Sequence, residues 1–214
     1  YEQLFRFEIH RTCDGNYLFL DIHHIVADGT SLGIILNDIN RAYSGEKLEV
    51  EEYTSYDLAL DNRDALASDA YKNAENYYKS VFENAGGSIN FYPDKSGAAP
   101  TAEMYHRETS EFSVQDVKAF CKKHGITENV FFISAFGITL GKYNFRKDAV
   151  FTTIYHGRND SRLSDTVGML VKTLPVYCDF SGSTADCLNA VQQQLINSMN
   201  NDIYPFSQIS HEFN

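Results

Sequence analysis

The run from Tyr17 to Tyr43 most constrains the chain. Tyr17-Leu18-Phe19-Leu20-Asp21-Ile22 reads as a largely buried strand. It leads into His23-His24-Ile25-Val26-Ala27-Asp28-Gly29. Leu32, Ile35, Leu36, Ile39 and Tyr43 follow at the spacing of an amphipathic helix, from about Ser31 to Tyr43. Strand, turn and helix in such close succession place the turn at the exposed end of a rigid element, where binding and chemistry concentrate. If the strand continues through both histidines, Leu18, Leu20, Ile22 and His24 share one face. Tyr17, Phe19, Asp21 and His23 share the other, so the two histidines are expected to do different work. Asp28-Gly29 is a turn signal, and Thr30 or Ser31 is expected to cap the helix. The first turn of a helix offers free N–H groups and partial positive charge, so a histidine beside it is placed to steady an oxyanion.

The rest of the chain reads as mixed α and β. Phe5, Phe7 and Ile9 alternate with Arg6, Glu8 and His10, a half-buried strand. Cys13-Asp14-Gly15-Asn16 is a hairpin signal that would pair it antiparallel with the next strand. Ser44-Gly45 stops the first helix. A helix opens near Tyr56-Asp57-Leu58-Ala59, and a charged, tyrosine-rich helix runs to about Glu83, read as packing. Gly86-Gly87, Pro93, Gly97 and Pro100 mark a linker. Ser113-Val114-Gln115-Asp116 caps a helix that ends at His124-Gly125. Thr127 caps another, Val130 to Tyr143, apolar almost all round and so expected to be central and buried. Asp148 to Gly157 reads as a buried strand, and Leu188, Val191, Leu195 and Met199 as one more amphipathic helix. The expected division is 1–85, a linker at 86–100, and 101–214.

Composition excludes some classes. A net charge of −11 argues against nucleic acid as a partner. No segment has the length and apolarity of a membrane span, and no signal peptide is read. Cys13, Cys121, Cys178 and Cys187 are widely spaced without a CxxC pair, so four free thiols in a reducing, cytoplasmic setting are expected. The adjacent histidines lack further ligands at usable spacing, so no metal is expected.

His23-His24-Ile25-Val26-Ala27-Asp28-Gly29 resembles the HHxxxDG signature of condensation domains of nonribosomal peptide synthetases. Three further stretches follow in that family's order. Tyr56-Asp57-Leu58-Ala59 resembles its Tyr-x-Asp-Phe-Ala segment. Gly157-Arg158 with Thr166-Val167-Gly168-Met169-Leu170-Val171-Lys172-Thr173-Leu174-Pro175-Val176 resembles its GR…VGxFVNTLPxR motif. Asn201-Asp202-Ile203-Tyr204-Pro205-Phe206 resembles its (H/N)QDxPFE motif. Lys172 stands where the family has Asn, Tyr177 near its Arg, and Ser207 at its Glu, which weakens carry-over at those positions. Epimerisation domains share HHxxxDG but carry EGHGRE. Here the run is Ile154-Tyr155-His156-Gly157-Arg158-Asn159, without the Glu needed as a second proton-transfer group.

The resemblance implies an α/β (α+β) fold like chloramphenicol acetyltransferase, a mixed sheet flanked by helices in two lobes, with the chain opening after the family's N-terminal motifs. It implies amide formation. A carrier-bound amine attacks an acyl or peptidyl thioester on a second carrier, both substrates held on 4'-phosphopantetheine, with no cofactor bound directly. The implied partners are donor and acceptor peptidyl carrier proteins and an adenylation domain. His24 is the residue the resemblance marks as functional, either removing the amine proton or orienting the amine. Gly29 permits the turn and offers its N–H to the reacting carbonyl. His23 is expected to brace the turn. Asp28 is expected to hold the loop through an Arg that the family supplies upstream, which leaves it without that partner here. Gly168, Thr173 and Asp202 are tunnel or loop positions. The 214-residue chain by itself is expected to be inactive. The alternatives are a non-catalytic carrier-docking fragment and an O-acyltransferase of the same superfamily.

Overall fold

An antiparallel hairpin starts the chain. β1 (Phe5–Arg11) pairs with β2 (Asn16–Ile22), with Phe5 opposite Ile22 and Arg11 opposite Asn16. The computed structural model describes residues 3–83, 85, 104–106 and 108–213. The expected linker at 86–100 lies outside the described residues. The helices are α1 (Gly29–Tyr43), α2 (Ser55–Ala65), α3 (Asp69–Phe82), α4 (Val114–His124), α5 (Glu128–Tyr143), α6 (Thr184–Asn200) and α7 (Phe206–Phe213). Two later strands, β3 (Asp148–Tyr155) and β4 (Lys172–Asp179), form a second two-stranded sheet. The fold is mixed helix and sheet as expected, but its sheets among the described residues are small. No described helix is long and apolar enough to cross a membrane.

Packing divides the described residues into two units. One holds the chain up to Lys72 together with Ile154–Lys172. The other holds Asn73–Thr153 and Thr173–Asn214. Packing therefore follows no single cut in the sequence.

In the first unit, the expectation that β1 and β2 bury a face is not met. Phe7, Ile9, Leu18 and Phe19 are all exposed. A two-stranded ribbon needs a second layer to bury a face, and neither a third strand nor a helix packs extensively on it among the described residues. Leu32 and Leu36 on α1 are likewise exposed.

The second unit carries a continuous core. Val117 and Cys121 of α4, Val130 and Ile133 of α5, Val176 and Cys178 of β4, and Leu188, Val191 and Leu195 of α6 pack together. The expected caps are observed. Ser113 and Asp116 form a reciprocal capping box, Gly125 ends α4 in the left-handed region at φ 64°, and Thr127 caps α5. The tyrosines of α3 pack as expected: Tyr78 is buried and its hydroxyl donates to the Ser198 carbonyl at 3.2 Å. The reading of α5 as buried all round is corrected. Ile133 and Leu140 face the core, while Phe132 and Phe136 are exposed, Phe136 with one edge against the Phe151 ring at 5.0 Å. Neither β4 nor α7 was expected. Pro175 within β4 argues against a strand from sequence, and a sheet of two strands tolerates it.

Candidate active site in the first unit

The helix α1 begins where a side chain can cap it. Asp28, with extended backbone (φ −103°, ψ −177°), is the N-cap residue, not Thr30 or Ser31. Its Oδ1 accepts the Ser31 N–H at 2.8 Å. Asp satisfies an orphan donor of the first turn and complements the helix dipole there. Strand β2 ends at Ile22, so alternation does not extend through the histidines. His24 to Val26 form a turn, closed by Val26 N–H to the His23 carbonyl at 3.1 Å.

The two histidines still differ, through the turn rather than the strand. The His23 N–H donates to the Leu4 carbonyl at 2.8 Å, and His23 Nδ1 accepts the Ile25 N–H at 3.1 Å. A ring nitrogen that accepts an amide N–H carries no proton, so His23 is held with its proton on Nε2. His24 is exposed and has no hydrogen-bond partner among the described residues.

Asp28 is paired, which corrects the expectation that its arginine is missing. Arg158, 130 residues downstream, donates from Nη2 to Asp28 Oδ1 at 3.0 Å and Oδ2 at 3.2 Å. The Asp28 side chain is 0% exposed and that of Arg158 6%. The loop carrying Arg158 folds back over its own guanidinium, whose Nη1 donates to the carbonyls of Leu163 and Thr166, each at 2.7 Å. Leu170 N–H completes the Asp28 shell on Oδ2 at 3.1 Å, and Asp28 N–H donates to the Gly168 carbonyl at 3.2 Å. Ser31 Oγ lies 2.8 Å from both Asp28 Oδ1 and the Gly168 carbonyl, so its one proton serves them in turn. It also accepts the Gly168 N–H at 3.0 Å. Thr166 Oγ1 donates to the Tyr53 carbonyl at 2.6 Å, and Val167 N–H to Glu51 Oε1 at 3.0 Å. This latch ties residues 158–170 to the first turn of α1.

Burial by itself would raise the Asp28 carboxyl. The amide and hydroxyl of Ser31, the amide of Leu170 and the Arg158 guanidinium outweigh it and hold the group below the ordinary carboxylate range. A carboxylate so supplied with donors is a structural anion and not a proton acceptor. A group depressed in the fold contributes stability above its unfolded value and loses it as pH falls through the folded one. Hydrogen-exchange protection of the Gly168 and Leu170 amides is therefore expected to be constant at neutral pH and to collapse only below about pH 4. Loss of protection between pH 7 and 5 would contradict this.

Gly157 shapes the approach to Arg158. It sits at φ 70°, and a Cβ there would overlap the Leu170 carbonyl oxygen. Only glycine fits both demands. Gly157→Ala is expected to cost at least about 1–2 kcal/mol from the left-handed backbone alone, before the loop moves to relieve the overlap. Reduced protection at Leu170 would register it, and an unchanged amide would refute it.

Gly29 does not serve a turn through unusual backbone, because its φ is not positive. It opens α1, and a Cβ there would meet nothing within 4 Å. Gly168 lies inside the latch. Thr173 is half-buried near the start of β4, and Asp202 lies in the turn after α6; both belong to the second unit. His156 accepts the Arg158 N–H on Nδ1 at 3.0 Å. Sequence reasoning missed the roles of Arg158 and Ser31. The Gly157-Arg158 pair was itself the available signal. No group of three or more His, Cys, Asp or Glu able to hold a metal occurs among the described residues.

A family model described as Condensation domain matches residues 1–214. Bacitracin synthase 2 of Bacillus licheniformis is 28% identical over 199 residues, covering 90% of this chain and 8% of that protein. The SgcC5 protein from Streptomyces globisporus superposes with a TM-score of 0.78 at 22% identity, over 98% of this chain and 49% of its own. The first condensation domain of the calcium-dependent antibiotic synthetase does so with a TM-score of 0.75 at 17% identity, over 99% and 49%. The chain thus spans about half of these solved structures and a small part of the curated relatives.

Proposed function

Because the chain belongs to the condensation-domain family, we propose that its HHxxxDG turn serves amide formation in nonribosomal peptide synthesis. The bond formed joins a carrier-bound amine to an acyl or peptidyl group held as a thioester on a second carrier. The observation that carries the reading is the division of labour in the motif. Asp28 is buried and saturated with donors, and His23 Nδ1 is occupied by the Ile25 amide. His24 is exposed and free of protein partners among the described residues, so it is the group left to act on a substrate.

In this reading His24 takes the proton of the attacking amine or orients that amine, the usual tasks of a positioned imidazole. A free amine near neutral pH is mostly protonated, so either task matters. Gly29 offers a first-turn N–H and open space beside it for a thioester carbonyl. The thioesters ride on the 4'-phosphopantetheine arms of donor and acceptor carrier proteins, and an adenylation domain loads them. Gly168 acts through the latch.

The test is His24→Ala in the full natural polypeptide that carries this chain, with both carriers loaded and the amide product counted by mass spectrometry. Amide formation at the wild-type rate would overturn the reading. The purified 214 residues alone are expected not to condense the substrates, since they span about half of the solved relatives.

A further inference from the structure

We propose that Cys178 and Cys187 form a latent oxidation site, a pair of buried thiols that a peroxide converts to an intramolecular disulfide. Their Sγ atoms lie 3.4 Å apart. Cys178 is on β4 and Cys187 in the first turns of α6, and they are 0% and 3% exposed. Both are free thiols. A disulfide bond is about 2.05 Å long, so the sulfurs need to close by only about 1.3 Å.

The surroundings favour this pairing over others. The backbone of α5 presses on Cys178 from one side: a Cβ on Gly137 would lie 2.9 Å from Cys178 Cβ and 3.0 Å from its Sγ. Cys187 is fixed by its helix start, where Ser183 and Asp186 make a capping box, with Ser183 Oγ to Asp186 Oδ2 at 2.6 Å. Phe180 N–H to the Lys147 carbonyl at 2.9 Å anchors the chain just past Cys178. Cys121 shares the core but is not within hydrogen-bonding reach of either sulfur among the described contacts, and Cys13 is exposed in the first unit.

The two sulfurs take different parts. Either thiol can donate across the 3.4 Å gap; with Cys178 as donor its proton is held in place and loss of the Cys187 proton is eased. The start of a helix favours thiolate as well. Cys187 thiolate attacks one oxygen of the peroxide. The O–O bond breaks, hydroxide leaves and takes up the thiol proton as water, and Cys187 becomes a sulfenic acid. Cys178 sulfur then attacks the sulfenic sulfur. The S–O bond breaks, the S–S bond forms, and the departing oxygen leaves as a second water with the Cys178 proton. Two thiols lose two electrons and the peroxide gains them. Burial makes local opening the slow step, so oxidation lags behind that of Cys13.

The experiment uses the folded chain and hydrogen peroxide, followed by alkylation in denaturant and peptide mapping. The expected result is a cross-linked peptide joining Cys178 to Cys187, with both of these cysteines lost to alkylation and restored by dithiothreitol, Cys121 still alkylated, and the earlier oxidation of Cys13 mapped separately. Cys178→Ser is expected to leave Cys187 as a sulfenic acid that dimedone labels. Cys121→Ser is expected to keep the cross-link. Should the serine variants not fold, mapping of the wild-type chain, native against urea-unfolded, decides alone: the pair must form selectively in the folded state. Complete oxidation of Cys13 with both core thiols still alkylated, or pairing of either with Cys121, would overturn the proposal.

Discussion

Arg158→Met is expected to release residues 158–170 from α1 and to destabilise the first unit by about 3–5 kcal/mol, the usual cost of removing one partner of a buried ion pair. The loss is large because Asp28 has nowhere to go. Its side chain is fully buried, and it retains the Ser31 and Leu170 donors but no compensating charge. The carbonyls of Leu163 and Thr166 lose their donor as well. The chain has two packing units, so a single melting midpoint does not isolate the effect. Residue-resolved hydrogen exchange at Gly168 and Leu170 does. A double-mutant cycle separates pair from cap. Asp28→Asn keeps a capping oxygen while removing the charge, so adding it to Arg158→Met should cost much less than its effect alone. A loss under about 1 kcal/mol for Arg158→Met would mean that the latch is held by its backbone contacts and not by the ion pair.

His24→Ala is expected to lower the rate of amide formation by about 10²–10⁴-fold, the range for a positioned general base. Stability should hardly change, because His24 is exposed and loses no protein hydrogen bond among the described residues. That combination separates it from its neighbours. His23→Ala loses the acceptor for the Ile25 amide and should act through the turn, with loss of order there. Asp28→Asn should lower activity and protection together. If His24 positions the amine and takes no proton, the rate of the variant should keep the pH dependence of the wild type; if it is the base, the histidine-dependent limb should vanish. A large loss of stability in His24→Ala would assign the residue to the fold and not to the chemistry.

The correct readings share a short range. Ser113 with Asp116, the left-handed Gly125 and the Thr127 cap each involve partners within a few residues, so spacing alone reveals them. The hairpin signal at Asp14-Gly15 is local in the same sense. The misreadings all needed a partner from elsewhere. The period-2 pattern of β2 says that a face is apolar but not whether anything covers it. Thr30 and Ser31 were good caps by type, yet Asp28 won the position because its carboxylate also meets Arg158. Helix α5 is apolar all round, and only its packing tells which face the core takes.

By itself the sequence determined the capped helices, the hairpin, and the HHxxxDG and downstream motifs that identify the family, because those signals lie in neighbouring residues or in order along the chain. The tertiary structure decided the work of Asp28. A carboxylate reads as acid, cap or ion-pair partner until its surroundings are known, and its surroundings come from Arg158, Gly168 and Leu170, more than a hundred residues away. Once that carboxylate is buried and paired, the proposed chemistry passes to the exposed histidine four residues before it.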